Sequence, residues 1–117
     1  MKAIELISVP VTDQEVAKKF YVEQAGFTIV NESAFGNQKW IQLGLPGDAV
    51  TITLVNWFPN MPAGCMQGML IKTDNIERDA KALQERGVNM GKIEQMQWGK
   101  FAGFKDPDGN GWSLHQM

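Results

Sequence analysis

Cysteine, histidine and tyrosine each occur once in these 117 residues, as Cys65, His115 and Tyr21. A lone cysteine excludes an internal disulfide, and lone cysteines serve most often as small hydrophobes. A Cys65/His115 nucleophilic pair has no second feature that would signal activation. One histidine also excludes a two-His-one-carboxylate iron site within a single subunit. Neither sign of charge forms a block: 11 Lys and Arg stand against 13 Asp and Glu, net −2, which argues against a nucleic-acid surface. Apolar runs of membrane length are missing, and the opening Met1-Lys2-Ala3-Ile4-Glu5-Leu6 carries charge inside any apolar core and no small-residue cleavage site. No membrane partner is expected, and the expected compartment is the cytoplasm.

What is present is enough for one domain. Hydrophobic residues make up 44% and charged residues 21%, which fits a single globular unit over 1–117 with a modest core and no room for a second domain. The segment Lys105-Asp106-Pro107-Asp108-Gly109-Asn110-Gly111-Trp112-Ser113-Leu114-His115 carries the most information. Pro107 fixes φ, Gly109 is free to take positive φ, and the Asx side chains bond nearby backbone, all turn chemistry. Trp112 and Leu114 then share one face of a strand, with Ser113 and His115 on the other. Asp106, Asp108, Asn110 and Gly111 also fit the first half of a calcium loop. The second half fails, because the position that needs a bidentate Glu is Met117, the last residue here; a hairpin turn is the better reading.

Periodicity divides the chain into one unit used twice. Strands are expected over 4–11, 27–30, 40–45 and 50–55 with a helix over 12–25, then strands over 69–73, 88–93, 101–105 and 112–116 with a helix over 75–86. Val16, Phe20 and Tyr21 form the apolar stripe of the first helix; Ile76, Ala80 and Leu83 form that of the second. Thr12-Asp13 recurs 61 residues later as Thr73-Asp74, and Gly26 recurs at the same interval as Gly87. Asp13 and either Asp74 or Asn75 are the expected N-caps, and the two glycines mark helix-to-strand corners. Unit one spans about 1–58 and unit two about 66–117, joined by an apolar connector with Trp57 and Phe58 that is expected to pack.

The paired units, the opening Val9-Pro10-Val11-Thr12-Asp13…Ala17…Phe20-Tyr21…Gly26-Phe27, the Trp98-Gly99 pair and the closing Asp106-Pro107-Asp108-Gly109-Asn110 together resemble the vicinal oxygen chelate superfamily. This is the glyoxalase, bleomycin-resistance protein and extradiol-dioxygenase group. The resemblance covers essentially the whole chain. It implies an α+β fold of two tandem β-α-β-β-β units forming a cupped mixed sheet, completed in a homodimer. Its enzymes hold a divalent metal on His, Gln and Glu side chains in the cup. Here the corresponding places fall on Leu6 and Thr53 in the first unit, and on Ser113 and either Gln67 or Gly68 in the second. Leu6 has no donor atom, and Thr53 and Ser113 offer neutral hydroxyls. No metal and no cofactor are therefore expected, with Glu32, Asp48 and Glu94 left as members of any nonstandard site.

Strand alternation assigns Leu6, Ser8, Gln42, Thr53, Val55, Leu70 and Ser113 to the cup, leaving Ile7, Val9, Val11, Ile71, Trp112 and Leu114 for the helix side. Trp40 fits either rim. Trp98 and Phe101 are expected to close over a planar or apolar compound by stacking, and Gln67 completes the expected pocket. No Arg or Lys falls obviously on the inner face, although Lys72 and Lys105 reach its rim, so the expected small-molecule ligand is an uncharged or weakly charged amphiphile. Three classes of function follow: a metal-free binding protein that sequesters such a compound, a glyoxalase- or dioxygenase-like enzyme using a nonstandard metal site with Glu32 and His115 as acid/base groups, and a dimeric interaction module.

Overall fold

The structure, a computed structural model, describes residues 1–47 and 50–117. Its elements run β1 (Leu6–Pro10), α1 (Gln14–Lys19), a π-helical turn (Phe20–Gln24), β2 (Thr28–Phe35), β3 (Gln38–Gly44) and β4 (Thr51–Val55). Then follow β5 (Met69–Lys72), α2 (Ile76–Glu85), β6 (Glu94–Met96), β7 (Gly99–Lys105) and β8 (Gly111–Gln116). Two mixed four-stranded sheets result, ordered β1-β4-β3-β2 and β5-β8-β7-β6. In each, the first and last strands of a unit pair in parallel and the remaining neighbours pair antiparallel.

Capping sets where the helices begin. The Asp13 carboxylate accepts from the backbone N–H groups of Glu15 and Val16 at 2.9 and 3.1 Å, and Lys18 and Lys19 close α1 where its dipole favours cations. In the second unit the cap is Asn75, whose side chain accepts from Arg78 N at 3.0 Å. The continuous first helix expected over 12–25 changes pitch instead. Ala25 N donates to Phe20 O at 3.0 Å, an i to i+5 bond, and the wider turn lets the sequence neighbours Phe20 and Tyr21 both enter the core. Val16, expected in the apolar stripe, is 53% exposed. Gln14 and Ala17 are buried in its place, and Gln14 Nε2 donates to the carbonyls of Lys39 and Leu54 at 2.7 and 2.8 Å. The strand expected over 88–93 shrinks to Glu94–Met96; Val88 turns into the core, and Gly91 N still donates to Gly103 O at 2.7 Å beside β7.

Both units contribute to one core. Val9, Ile41, Leu43, Ile52 and Leu54 from the first sheet join Ala102, Phe104, Trp112 and Leu114 from the second, with both helices between. Tyr21 and Phe27 meet Trp112 edge-on at 6.0 and 5.7 Å between ring centres. At the equivalent helix ends the units clasp each other: Gln24 Nε2 donates to Arg86 O at 3.1 Å, and Arg86 Nε donates to Gln24 O at 2.7 Å. Because the helix-facing sides of both sheets share this core, their concave faces turn away from each other.

The turn after β7 locks the halves together. The buried Asp106 carboxylate accepts from Tyr21 Oη at 2.7 Å, Asn110 Nδ2 at 2.8 Å, and the backbone N–H groups of Asp108 and Asn110, both at 2.9 Å. Asn110 also donates to Pro10 O at 2.8 Å and accepts from Met66 N at 3.0 Å, while Asp108 accepts from Thr12 N at 3.0 Å. The side-chain oxygens that a calcium loop would need are thus engaged by protein donors. The connector is held here as well: Gly64 N bonds Pro10 O at 3.2 Å, and a Cβ at Gly64 would stand 2.1 Å from Asp108 O.

Candidate functional site

On the first sheet, alternation through the β1–β4 and β3–β4 ladders puts Leu6, Ser8, Gln42, Thr53 and Val55 on the concave face, with Trp40 beside Gln42. Polar groups there bond one another. Trp40 Nε1 donates to Gln42 Oε1 at 3.2 Å, Gln42 Nε2 to Thr51 Oγ1 at 2.8 Å, and Ser8 Oγ lies 3.3 Å from Thr53 Oγ1. Thr53 and Val55 are only 1% exposed, so both lie beneath the surface a ligand reaches. What remains is a shallow depression of about 460 Å³ lined by Glu5, Leu6, Asn31, Ser33, Trp40 and Gln42.

The second sheet's concave face holds a larger depression with more glycine in its lining. A pocket of about 620 Å³ is lined by Gln67, Asn89, Lys105 and Ser113 around a floor that includes Gly68, Gly91, Gly103 and Gly111. Gly103 pairs with Ser113, and Lys105 with Gly111, so the floor runs along the centre of the sheet. Gln67 Nε2 donates to Gly64 O and Gly109 O, each at 3.2 Å. Farther along the same face Phe101 and His115 stack, with ring centres 4.5 Å apart at 17°. His115 Nε2 lies 2.8 Å from the Trp98 carbonyl; a carbonyl only accepts, so the proton is on Nε2. Trp98 itself is 68% exposed at the β6–β7 turn. A third, mostly apolar pocket of about 410 Å³ lies between the units and is lined by Ile7, Leu43, Ile52, Met69, Leu70 and Trp112 among others.

The eleven residues expected to form one pocket therefore fall into two groups on two outward faces. Leu6, Ser8, Trp40, Gln42, Thr53 and Val55 belong to the first sheet, and Gln67, Leu70, Trp98, Phe101 and Ser113 to the second and its flanks. Sequence reasoning missed Asn31 and Ser33 on one face, and Asn89, Gly103 and Gly111 on the other; Lys105, expected at the rim, lines the pocket. A signal for Gly103 existed. A glycine inside the strand Phe101-Ala102-Gly103-Phe104 marks a bare stretch of surface.

The residues do not fit a divalent ion. With Asn75 as the cap, and with Ser8 beside Thr53 matched to Leu70 beside Ser113 in the ladders, the metal-ligand places are Leu6, Thr53, Gly68 and Ser113, which carry no nitrogen or carboxylate donor. Among the described residues no three His, Cys, Asp or Glu side chains stand close enough to hold a metal. Glu32 is paired with Lys18 at 2.9 Å, Glu94 is exposed on β6, and Asp48 lies outside the described residues. Cys65 is exposed beside the Asn110 end of β8, whereas His115 is near its other end.

Comparison with known proteins agrees with this architecture. A family model described as Glyoxalase/Bleomycin resistance protein/Dioxygenase superfamily matches residues 3–114. The chain is similar to TnmS3, an antibiotic binding protein from Streptomyces sp. CB03234, with 42% identity and a TM-score of 0.94 over 99% of this chain and 96% of that one. It is similar to a glyoxalase/bleomycin resistance protein from the same organism, with 43% identity and a TM-score of 0.88 over 97% and 100%. Among curated proteins, YetH of Bacillus subtilis (strain 168) is 28% identical over 99% of both chains.

Proposed function

This chain belongs to the glyoxalase/bleomycin resistance protein/dioxygenase superfamily, and from that premise we propose that it is a metal-independent binding protein that sequesters a small amphiphilic compound of the antibiotic class on its concave sheet surface. The observation that carries the reading is the pocket of about 620 Å³ on the second sheet, with a glycine floor and a few polar side chains at its wall. That composition suits binding: bare backbone accepts a ligand's face, and sparse polar groups orient it. Likeness to an antibiotic binding protein supports the ligand class. Among the described residues no nucleophile–base pair faces the pocket, and its metal-ligand places carry no nitrogen or carboxylate donor, so sequestration asks less of these residues than turnover does.

A second copy completes the proposal. Each chain presents two half-cups that turn away from each other, so closing either one takes a sheet from another subunit. Exposed apolar side chains such as Ile7 and Leu70 are available for burial in such a contact. The protein would work in the cytoplasm.

The test is a thermal-shift and tryptophan-fluorescence screen of antibiotics against protein treated with EDTA, followed by recovery and mass analysis of each bound compound. The expected result is at least one compound that stabilises the chelated protein and is recovered unchanged. Chemical conversion, or stabilisation restored only by adding a divalent metal, would assign the protein to the enzymes of the family. An inert screen would move weight to an interaction module.

A further inference from the structure

We propose that the second sheet's pocket recognises a flat ring bearing one hydroxyl and one carboxylate, with the hydroxyl donating to Gln67 Oε1 and the carboxylate paired with the Lys105 ammonium. This rests on reading the concave face as the ligand surface, and it narrows the ligand from amphiphiles in general to a hydroxylated monoanion.

The orientation of the Gln67 amide is dictated by its neighbours. Its nitrogen lies 3.2 Å from two backbone carbonyls, Gly64 O and Gly109 O, so both amide hydrogens are committed and a flipped amide would place oxygen against oxygen. Oε1 is left facing the pocket as an acceptor. It also packs onto Gly111 so closely that a Cβ there would stand 2.4 Å away, and only glycine at 111 leaves room for this pose. Ser113 resembles Gln67 in this respect: its Oγ donates to Leu114 O at 2.9 Å, which leaves oxygen lone pairs rather than a hydrogen for a ligand. Neither acceptor is buried in the free protein, so water can serve both; a ligand that covers them must bring hydrogens of its own, because an acceptor it buries without a donor costs free energy.

Lys105 supplies the charge. It pairs with Gly111 across β7 and β8 and so lies on the same face as the Gln67 carbonyl, with Gly111 between them. No salt bridge reaches it among the described residues. The nearest acids in sequence are occupied elsewhere, Asp106 by Tyr21 and Asp108 by Thr12. One unpaired cation beside two acceptors matches a single negative charge; a phosphate would bring several oxygens against oxygens. Gly111 lies under the Gln67 amide, but Gly103 beside it has no side chain over it, so a planar ring can lie against the backbone there.

Amide chemical-shift titration with meta-hydroxybenzoate, meta-methoxybenzoate and meta-hydroxybenzyl alcohol tests this. In the wild type, meta-hydroxybenzoate should shift the Gly103, Gly111 and Ser113 amides and bind about three- to tenfold more tightly than either analogue, the range for one net hydrogen bond. Gln67→Ala should make the hydroxy and methoxy acids bind equally, and Lys105→Met should make meta-hydroxybenzoate and the alcohol bind equally. Gly111→Ala, which displaces the amide but keeps Gln67, should reproduce Gln67→Ala; wild-type selectivity in that variant overturns the acceptor role. Equal affinities for all three probes in the wild type, or no shift at those amides, overturn the inference as a whole. A screening hit that lacks both groups yet shifts the same amides would leave the concave-face reading standing, whereas silence of those amides towards every hit would end that reading too.

Discussion

Asp106 meets four protein donors in the core and, among the described residues, no salt bridge, and one of those donors is the phenol of Tyr21. Trp112 Nε1 donates to the same phenol at 2.9 Å, so Tyr21 passes one hydrogen bond on and receives another. Burial first, and then the Asp106 charge, push the Tyr21 hydroxyl well above its ordinary value of 10.0. The native state holds this proton where the unfolded chain releases it. The contribution is therefore complete below about pH 10 and is lost as pH rises further, by about 1.4 kcal/mol per pH unit. Tyr21→Phe should cost about 1–3 kcal/mol at neutral pH by leaving Asp106 and Trp112 short of a partner, and the gap between wild type and variant should narrow above about pH 10. Urea titrations across that range check this; a constant gap would show that the phenol ionises in the native state. The residues Asp106-Pro107-Asp108-Gly109-Asn110 announce a turn in the sequence because turn chemistry is local. Their bonds to Pro10, Tyr21 and Met66 span 44 to 100 residues, a distance at which no local pattern speaks.

At the scale of elements, the two glycines of β7 have opposite requirements. Gly99 has φ +122°, and a Cβ there would lie 2.3 Å from Gln116 O; no side-chain rotation relieves a clash with backbone. Gly99→Ala should lower stability by about 2 kcal/mol or more, read as a lower urea midpoint. A Cβ at Gly103 meets nothing nearer than Trp112 O at 3.6 Å, an ordinary contact, so the strand itself does not require glycine there. Unchanged stability of Gly99→Ala would mean that the β6–β7 turn relaxes freely. Element order was legible in the sequence because period-2 alternation and the Gly26 and Gly87 corners punctuate it. The π turn was not, since the same apolar residues fit an α-helix until tertiary packing asks for both Phe20 and Tyr21. Val16 is exposed because Gln14 and Ala17, three residues apart, set the buried face of α1, and β6 is short because the chain over 88–93 turns Val88 into the core rather than alternating along β7.

For the whole molecule, the duplicated strand orders were readable from the spacing of the units, but the direction of the cups was not. Alternation tells which residues share a face; it does not say that Leu6 and Ser113 face opposite ways until Tyr21, Phe27 and Trp112 join the helix sides into one core. Hence the expected pocket divides between two surfaces, which the proposed homodimer would reunite. Light scattering coupled to size exclusion should return about twice the 13.0 kDa of the chain, and a mass near 13.0 kDa at every workable concentration would contradict a second copy. Binding at the second sheet itself is tested most directly by calorimetric titration of a screening hit into the chelated wild type and into Gly103→Leu, a variant whose Cβ meets only an ordinary contact and whose side chain fills the glycine floor. The expected result is binding by the wild type and its loss, by at least about tenfold, in a variant of unchanged stability and oligomeric state, as filling the centre of the contact should give. Equal affinity in the two proteins would contradict the account, because the ligand would then lie somewhere other than the concave face of the second sheet.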